Sequence, residues 1–272
     1  MHGTDPIGHS TNLVGIATPV LAGSIYNDHP APLHISGVRE MNPALFDMLQ
    51  EAVDLADAGD AFHKYMDAMF GLDPEQKERQ QIGQPPGRRR FRSSFLRLLK
   101  GWGFDSNSPE GAVLKGWVES RFGLFPSFHK SPVTMTSASW VAYVEEKMSS
   151  RFHNNSIYVQ LDLVFEFCQW AIARFAFPGT THLRLFRGVN DFLEHRLIER
   201  LDRRQCIVRL NSLVSFTSRR DMAETFGDTI LEVDVPLTKV VFFNKLLPVH
   251  PLKGEDEYLV IGGDFRVTAA YW

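Results

Sequence analysis

The sequence predicts an α+β protein, mainly helical over its first two-thirds and β-rich after that. Two observations carry the prediction. Up to about residue 177, apolar residues recur at spacings of three and four. From His182 onward the apolar runs shorten and alternate, with Gly, Pro and Asn between them. At 272 residues the chain is long enough to bury a sizeable core.

Asn42-Pro43 opens the first predicted helix, a cap followed by proline where its missing N–H costs nothing. Leu45, Met48, Leu49 and Val53 then form a stripe. Ala61–Phe70, Pro109–Phe122 and Ser137–Phe152 follow with helical spacing, the last capped by Ser137 or Ser139. Ser156–Phe177 is apolar on most faces, which predicts a buried helix. In the β-rich part, Leu183–Arg187 alternates between Pro178-Gly179 and Gly188. Ile207–Thr217 reads as one or two strands, and Arg220–Phe226 as a short helix. Ile230–Val235 alternates inside and outside. Val240–Phe243, Tyr258–Ile261 and Phe265–Ala269 complete the strands, separated by turn residues.

Gly71–Gly87 is polar, contains Pro85-Pro86, and reads as a surface linker or long loop. It runs into the basic stretch Arg88–Lys100. There Phe91, Phe95, Leu98, Leu99 and Trp102 share one helical face while arginines cover the other. Arg89, Arg90, Arg92 and Arg97 are therefore candidates for docking an acidic partner or phosphates. The alternative is an ordinary solvated helix.

Composition excludes several classes. The net charge of −3 gives no reason to expect nucleic acid. The two cysteines, Cys168 and Cys206, sit in apolar runs and form no CxxC. They read as core residues, with no zinc and no disulfide framework, which suits a reducing cytoplasm. No Lys or Arg precedes the apolar stretch Leu13–Ile25, so a signal peptide is not expected. No run is long enough to span a bilayer. There is no P-loop, HExxH or GxSxG. Gly101-Trp102-Gly103 lacks the third glycine of a dinucleotide fingerprint.

What remains is a set of three motifs in the β-rich part. Leu185-Phe186-Arg187-Gly188 ends a strand on an arginine, the side chain suited to bidentate phosphate binding, and a glycine that lets backbone approach a ligand. In Ser215-Phe216-Thr217-Ser218, alternation puts Ser215 and Thr217 on one face. In Gly254-Glu255-Asp256-Glu257-Tyr258-Leu259-Val260-Ile261, Glu255 and Glu257 stand two apart at the entry of an apolar strand. Like charges there repel, and catalysis is a reason to keep them together. Each motif alone has a plain structural reading: a common Arg-Gly pair, a strand leading into a helix cap, and a solvated turn.

In this order the motifs resemble the R-S-E class of mono-ADP-ribosyltransferases, which includes cholera-type toxins and vertebrate arginine-specific ecto-enzymes. Ala223-Glu224-Thr225-Phe226-Gly227-Asp228-Thr229 is similar to that class's segment carrying an aromatic beside the nicotinamide. More narrowly, the chain resembles the bacterial dinitrogenase reductase ADP-ribosyltransferase family. That likeness rests on His9–Gly15, Pro19–Asn27 and Phe91–Trp102. The resemblance implies a split β-core holding NAD⁺ as co-substrate, no metal, and transfer of ADP-ribose to an arginine. It implies that Arg187 holds an NAD⁺ phosphate and Gly188 allows main-chain contact at the nicotinamide end. Ser215, Thr217 and Ser218 would line the NAD⁺ site, and Phe226 would stack on nicotinamide or its ribose. Glu257 would be the central carboxylate, oriented by Ser215, and Glu255 would hold the acceptor guanidinium. One departure from the class is Phe216, which leaves Ser215 or Phe216 to fill the first serine position; only Ser215 offers a hydroxyl. The narrower likeness also implies the nitrogenase iron protein as target, inactivated to regulate nitrogen fixation, and a nitrogen-sensing PII protein as regulator. On this reading residues 1–272 form one unit. Residues 1–177 would serve regulation and target docking, and 178–272 would form the NAD⁺-binding core. Two other readings stand: an NAD⁺ glycohydrolase on the same fold, against which Glu255 argues, and a non-enzymatic interaction protein working through its basic helix.

Overall fold

The computed structural model describes residues 6–72, 94–149, 155–190, 195–252, 254 and 256–271. The expected α+β order is present. Up to residue 176 the described chain is mainly helical. α1 (Thr18–Ala22), α2 (Ser24–Asp28) and α3 (Val38–Met41) are short and were not foreseen. α4 spans Pro43–Gln50 and α5 Leu55–Phe70. Asn42 precedes α4 as expected, but its side chain does not cap it. The Asn42 amide donates to the Val38 carbonyl at 2.7 Å and its Oδ1 accepts from the Tyr65 hydroxyl at 3.1 Å. Leu45 and Leu49 of the expected stripe are buried, whereas Val53 lies beyond the helix and is 81% exposed. α5 starts at Leu55, not Ala61, because Asp54 caps it by accepting from the Asp57 N–H at 2.8 Å.

α6 (Phe95–Phe104) and α7 (Pro109–Phe122) follow, then a small hairpin of β1 (Phe128–His129) and β2 (Ser131–Pro132). α8 (Ala138–Ser149) is capped by Ser137, whose Oγ accepts from the Trp140 N–H at 3.1 Å. α9 (Asn155–Ala171) is buried from Gln160 to Cys168 and continues as a π-helical turn, Ile172–Ala176. Its aromatic residues tie the helices together. Phe167 stacks on Phe62 of α5 at 4.3 Å, and Phe165 meets Phe122 of α7 edge-on at 5.2 Å.

The remaining strands are β3 (His182–Val189), β4 (Arg196–Arg200), β5 (Gln205–Thr217), β6 (Thr229–Pro236), β7 (Val240–Phe243) and β8 (Glu257–Tyr271). α10 (Arg220–Glu224) lies between β5 and β6. All pairings are antiparallel. β5 pairs with β8, the far end of β8 pairs with β6, β6 pairs with β3, and β3 touches β5 at Phe186↔Thr217. This closes a ring. Among the described residues that is the one strand-ladder pair between β3 and β5, so the ring is split along this seam. β4, exposed throughout and absent from the sequence reading, edges β5, and β7 edges the start of β8.

Two expected strands, Tyr258–Ile261 and Phe265–Ala269, are one. Gly262-Gly263 is not a turn: β8 runs on through it, and the register shifts between Leu210 and Leu213 of β5, where Asn211 and Ser212 form a bulge opposite Gly262. Both glycines are required. A Cβ at Gly262 would lie 1.6 Å from the Asn211 carbonyl oxygen, and Gly263 has φ of 119°. The fully buried Lys239 supports the bulge: its Nζ donates to the Gly262 carbonyl at 3.2 Å and sits over the rings of Phe265 and Tyr26. Burial lowers its pKa to about 7.

The helices and the ring share one core. Gln169 of α9 donates to the Val240 carbonyl at 2.8 Å, Asn27 of α2 to the Asp264 carbonyl at 2.9 Å, and Asn211 of β5 to the Phe128 carbonyl at 2.8 Å. Both cysteines are free and buried. Among the described residues no helix is long and apolar enough to cross a membrane, and no group of three or more His, Cys, Asp or Glu could hold a metal ion.

Candidate active site

The ring brings three strand ends together. β5 and β8 run antiparallel in the register Ser215↔Leu259 and Thr217↔Glu257, so the end of β5 meets the start of β8. Phe186 of β3 lies opposite Thr217. Arg187 shares a strand face with the buried Leu185 and Val189 and points inward. Its Nη1 donates to the Ser215 carbonyl at 2.9 Å. The Ser215 hydroxyl faces the Glu257 carboxylate closely enough to favour its charged form. Arg187, Ser215 and Glu257, far apart in sequence, thus stand together at one end of the ring.

Glu257 is held by its own turn. Its N–H donates to the Gly254 carbonyl at 3.3 Å, and the Gly254 N–H reaches its Oε2 at 3.5 Å. The turn is pinned by Asn244, buried just after β7. The Asn244 side chain donates to the Gly254 carbonyl at 2.8 Å, and its backbone N–H donates to the Glu257 carbonyl at 3.1 Å. Burial pushes the Glu257 carboxyl above the usual carboxylate range. The Ser215 hydroxyl, the Gly254 N–H and the Arg187 charge each pull it part of the way back.

Phe216 is 2% exposed and packs towards Phe265, with ring centroids 6.3 Å apart, so it belongs to the core. Ser215 is the residue of that pair that shares a face with Thr217 and Glu257. Thr217 Oγ1 accepts from the Arg219 N–H at 3.1 Å, shaping the turn after β5, and the Ser218 N–H donates to the Asp256 carbonyl at 3.1 Å, fastening the end of β5 to the start of β8. At Gly188 the close approach is made by the protein itself. A Cβ there would lie 2.0 Å from the Ala223 carbonyl, and one at Gly227 would lie 2.3 Å from the Val189 carbonyl carbon. The turn after α10 therefore presses onto β3 and carries Phe226, 66% exposed. Glu255, Arg89, Arg90 and Arg92 lie outside the described residues, as does Phe91. Arg97 is half-buried on α6.

The sequence reading missed part of the wall behind this site. Trp102 of α6 donates its indole N–H to the Ser215 hydroxyl at 2.8 Å. Lys115 of α7, fully buried, lies 5.8 Å from the centroid of the Trp102 ring. Lys115 Nζ donates to the Phe128 carbonyl at 3.0 Å and meets His129 Nδ1 at 3.2 Å; His129 Nε2 meets Glu146 at 2.7 Å. With Nδ1 accepting and Nε2–H donating, one histidine tautomer satisfies both contacts. Burial lowers Lys115 to about 7, opposed by Asp105 and Glu146 and reinforced by Arg187. The available signals were slight: a buried indole N–H needs an acceptor, and a lysine amid Ala, Val, Leu and Trp needs partners.

A family model described as dinitrogenase reductase ADP-ribosyltransferase matches residues 11–269. One relative, the NAD(+)–dinitrogen-reductase ADP-D-ribosyltransferase of Rhodospirillum rubrum, is 65% identical over 266 residues, which is 97% of this chain and 96% of that protein. No solved structure matches the chain.

Proposed function

Because the chain belongs to the dinitrogenase reductase ADP-ribosyltransferase family, we propose that it transfers ADP-ribose from NAD⁺ to an arginine of the nitrogenase iron protein, inactivating that protein and so regulating nitrogen fixation. One observation carries this reading above others. Ser215 faces Glu257 with its hydroxyl and holds Arg187 through its carbonyl, at the split end of the ring.

The donor set suits NAD⁺. A guanidinium matches a phosphate, and a carboxylate with a hydroxyl matches a ribose. Arg187 would hold a phosphate, with Gly188, Thr217 and Ser218 beside it and Phe226 stacking on the nicotinamide or its ribose. NAD⁺ supplies an ADP-ribosyl group joined to a nicotinamide that can leave. Glu257 hydrogen-bonds the nicotinamide ribose and presents fixed negative charge where positive charge develops. Ser215 keeps that carboxylate in place. Glu255 binds the acceptor guanidinium and assists loss of its proton, because a free guanidinium stays charged and is a poor nucleophile. The scheme uses no metal.

On this reading the protein works in the cytoplasm as one unit, with residues 178–272 binding NAD⁺. Residues 1–177 serve target docking and regulation, the latter by a PII protein. The test is incubation with labelled NAD⁺ and purified iron protein, followed by mass spectrometry of the product. Label on an arginine is expected. Label on another residue type would overturn the acceptor assignment, and release of free ADP-ribose alone would make the activity hydrolytic.

A further inference from the structure

We infer that Trp102 is a positioning residue for the transfer reaction, fixing the Ser215 hydroxyl so that its proton is committed to Glu257. The inference rests on the reading of Glu257 given above.

A serine hydroxyl has one proton and two lone pairs, and an indole N–H can only donate. With Trp102 Nε1 2.8 Å from Ser215 Oγ, the indole fills a lone pair and cannot accept the serine proton. That proton is left to the carboxylate of Glu257, which lies on the adjoining strand end and whose charged form the Ser215 hydroxyl favours. The direction of the chain, indole to hydroxyl to carboxylate, is therefore set by chemistry. Such a chain polarises along its length, strengthening the last bond. It favours the charged form of a carboxylate that burial disfavours. Among the described residues, the charged and hydroxyl groups around Glu257 are Arg187 from β3 and Ser215 and Thr217 from β5, with the Gly254 N–H on its own turn. Lys115 of α7 stands behind Trp102.

Trp102 is built to hold still. It is 4% exposed, on a helix whose Phe95, Leu98 and Leu99 are buried. At the neighbouring Gly101 a Cβ would lie 2.5 Å from Glu110 Cγ, so α6 sits close against α7. The arrangement makes the carboxylate's position depend on a helix outside the ring. The β-rich part by itself lacks the group that aims Ser215.

Trp102→Phe keeps a ring in the core and removes the N–H. With the folded variant, kcat for transfer and for NAD⁺ hydrolysis should fall together, on the order of tenfold or more. KM for NAD⁺ should stay unchanged, and the acid limb of kcat should move to higher pH. Combined with Ser215→Ala, it should cost nothing beyond Ser215→Ala alone. Wild-type kcat with an unmoved acid limb would overturn the inference, as would additive losses in the double variant. If Trp102→Phe does not fold, wild-type protein with ¹⁵N-labelled indoles decides the matter. The Trp102 resonance should titrate with the activity limb and cease to do so in Glu257→Gln; a resonance indifferent to both sinks the idea. An active Glu257→Gln would instead remove the underlying reading, whereas an inactive Glu257→Gln beside a normal Trp102→Phe removes this inference alone.

Discussion

At the scale of single residues, Glu257 sets activity against stability. Burial raises its pKa in the folded protein, so between the unfolded and folded values the folded state binds the proton more tightly. Stability from this group therefore falls as pH rises through that window, and above it the full cost of a half-buried carboxylate is present. Glu257→Gln removes the cost. Transfer and NAD⁺ hydrolysis should fall by about a hundredfold or more, while the melting temperature at neutral pH should rise; a lower melting temperature would make the carboxylate a net stabiliser. Arg187 behaves differently. Its Nη1 is engaged by the Ser215 carbonyl, and a lysine cannot keep that bond and a forked phosphate contact together. Calorimetry on Arg187→Lys should show NAD⁺ binding weaker by about 1.5–3 kcal/mol; unchanged affinity would move the phosphate elsewhere. That Arg187, Ser215 and Glu257 come close together was legible from the order of three strand-end motifs. Trp102 was not, because its acceptor lies 113 residues away and its ring counts as apolar in any periodicity.

At the scale of elements, the long helices were legible from their period, and the strands from alternation. Errors fell where one local signal has two structural uses. Paired glycines mark turns, but Gly262-Gly263 lies within a continuous strand, opposite a bulge in β5. α1, α2 and α3 span five, five and four residues, too short to show a period. β4 has neither an apolar face nor burial to imprint alternation. The bulge sets the relation between the two halves of β8, one carrying Glu257 and the other closing the ring on β6. Gly262→Ala would place a Cβ 1.6 Å from the Asn211 carbonyl oxygen, and backbone cannot swing aside as a side-chain tip can. We expect a stability loss on the order of 3 kcal/mol or more and loss of transfer, measured by denaturant unfolding and labelled NAD⁺. A variant with normal stability would show that the two strands can slide without harm.

At the scale of the whole molecule, pattern reading recovered the two kinds of structure and their order but not how they join. The joins are single polar contacts between distant segments, such as Asn27 to Asp264 and Trp102 to Ser215, which leave no periodic trace. A protein acceptor must be met by the outer surface, where charges mainly set encounter rate and salt sensitivity. Arg90→Glu with Arg92→Glu should therefore slow modification of the iron protein, most at low salt, and leave a small guanidino acceptor nearly untouched. Equal rates on the protein target across a salt series would remove this segment from the docking surface. The two interior lysines have a separate consequence. An amine reacts with acylating reagents only without its proton, and an exposed ammonium is mostly protonated at pH 7. Lys115 and Lys239, near 7, have a ready lone pair but no access to solvent. Their acylation rates, followed peptide by peptide, thus become a clock for opening of the interior. Lys115 times the wall behind Trp102 and Lys239 times the glycine pair of β8, so the protein carries its own probes of which gives way first.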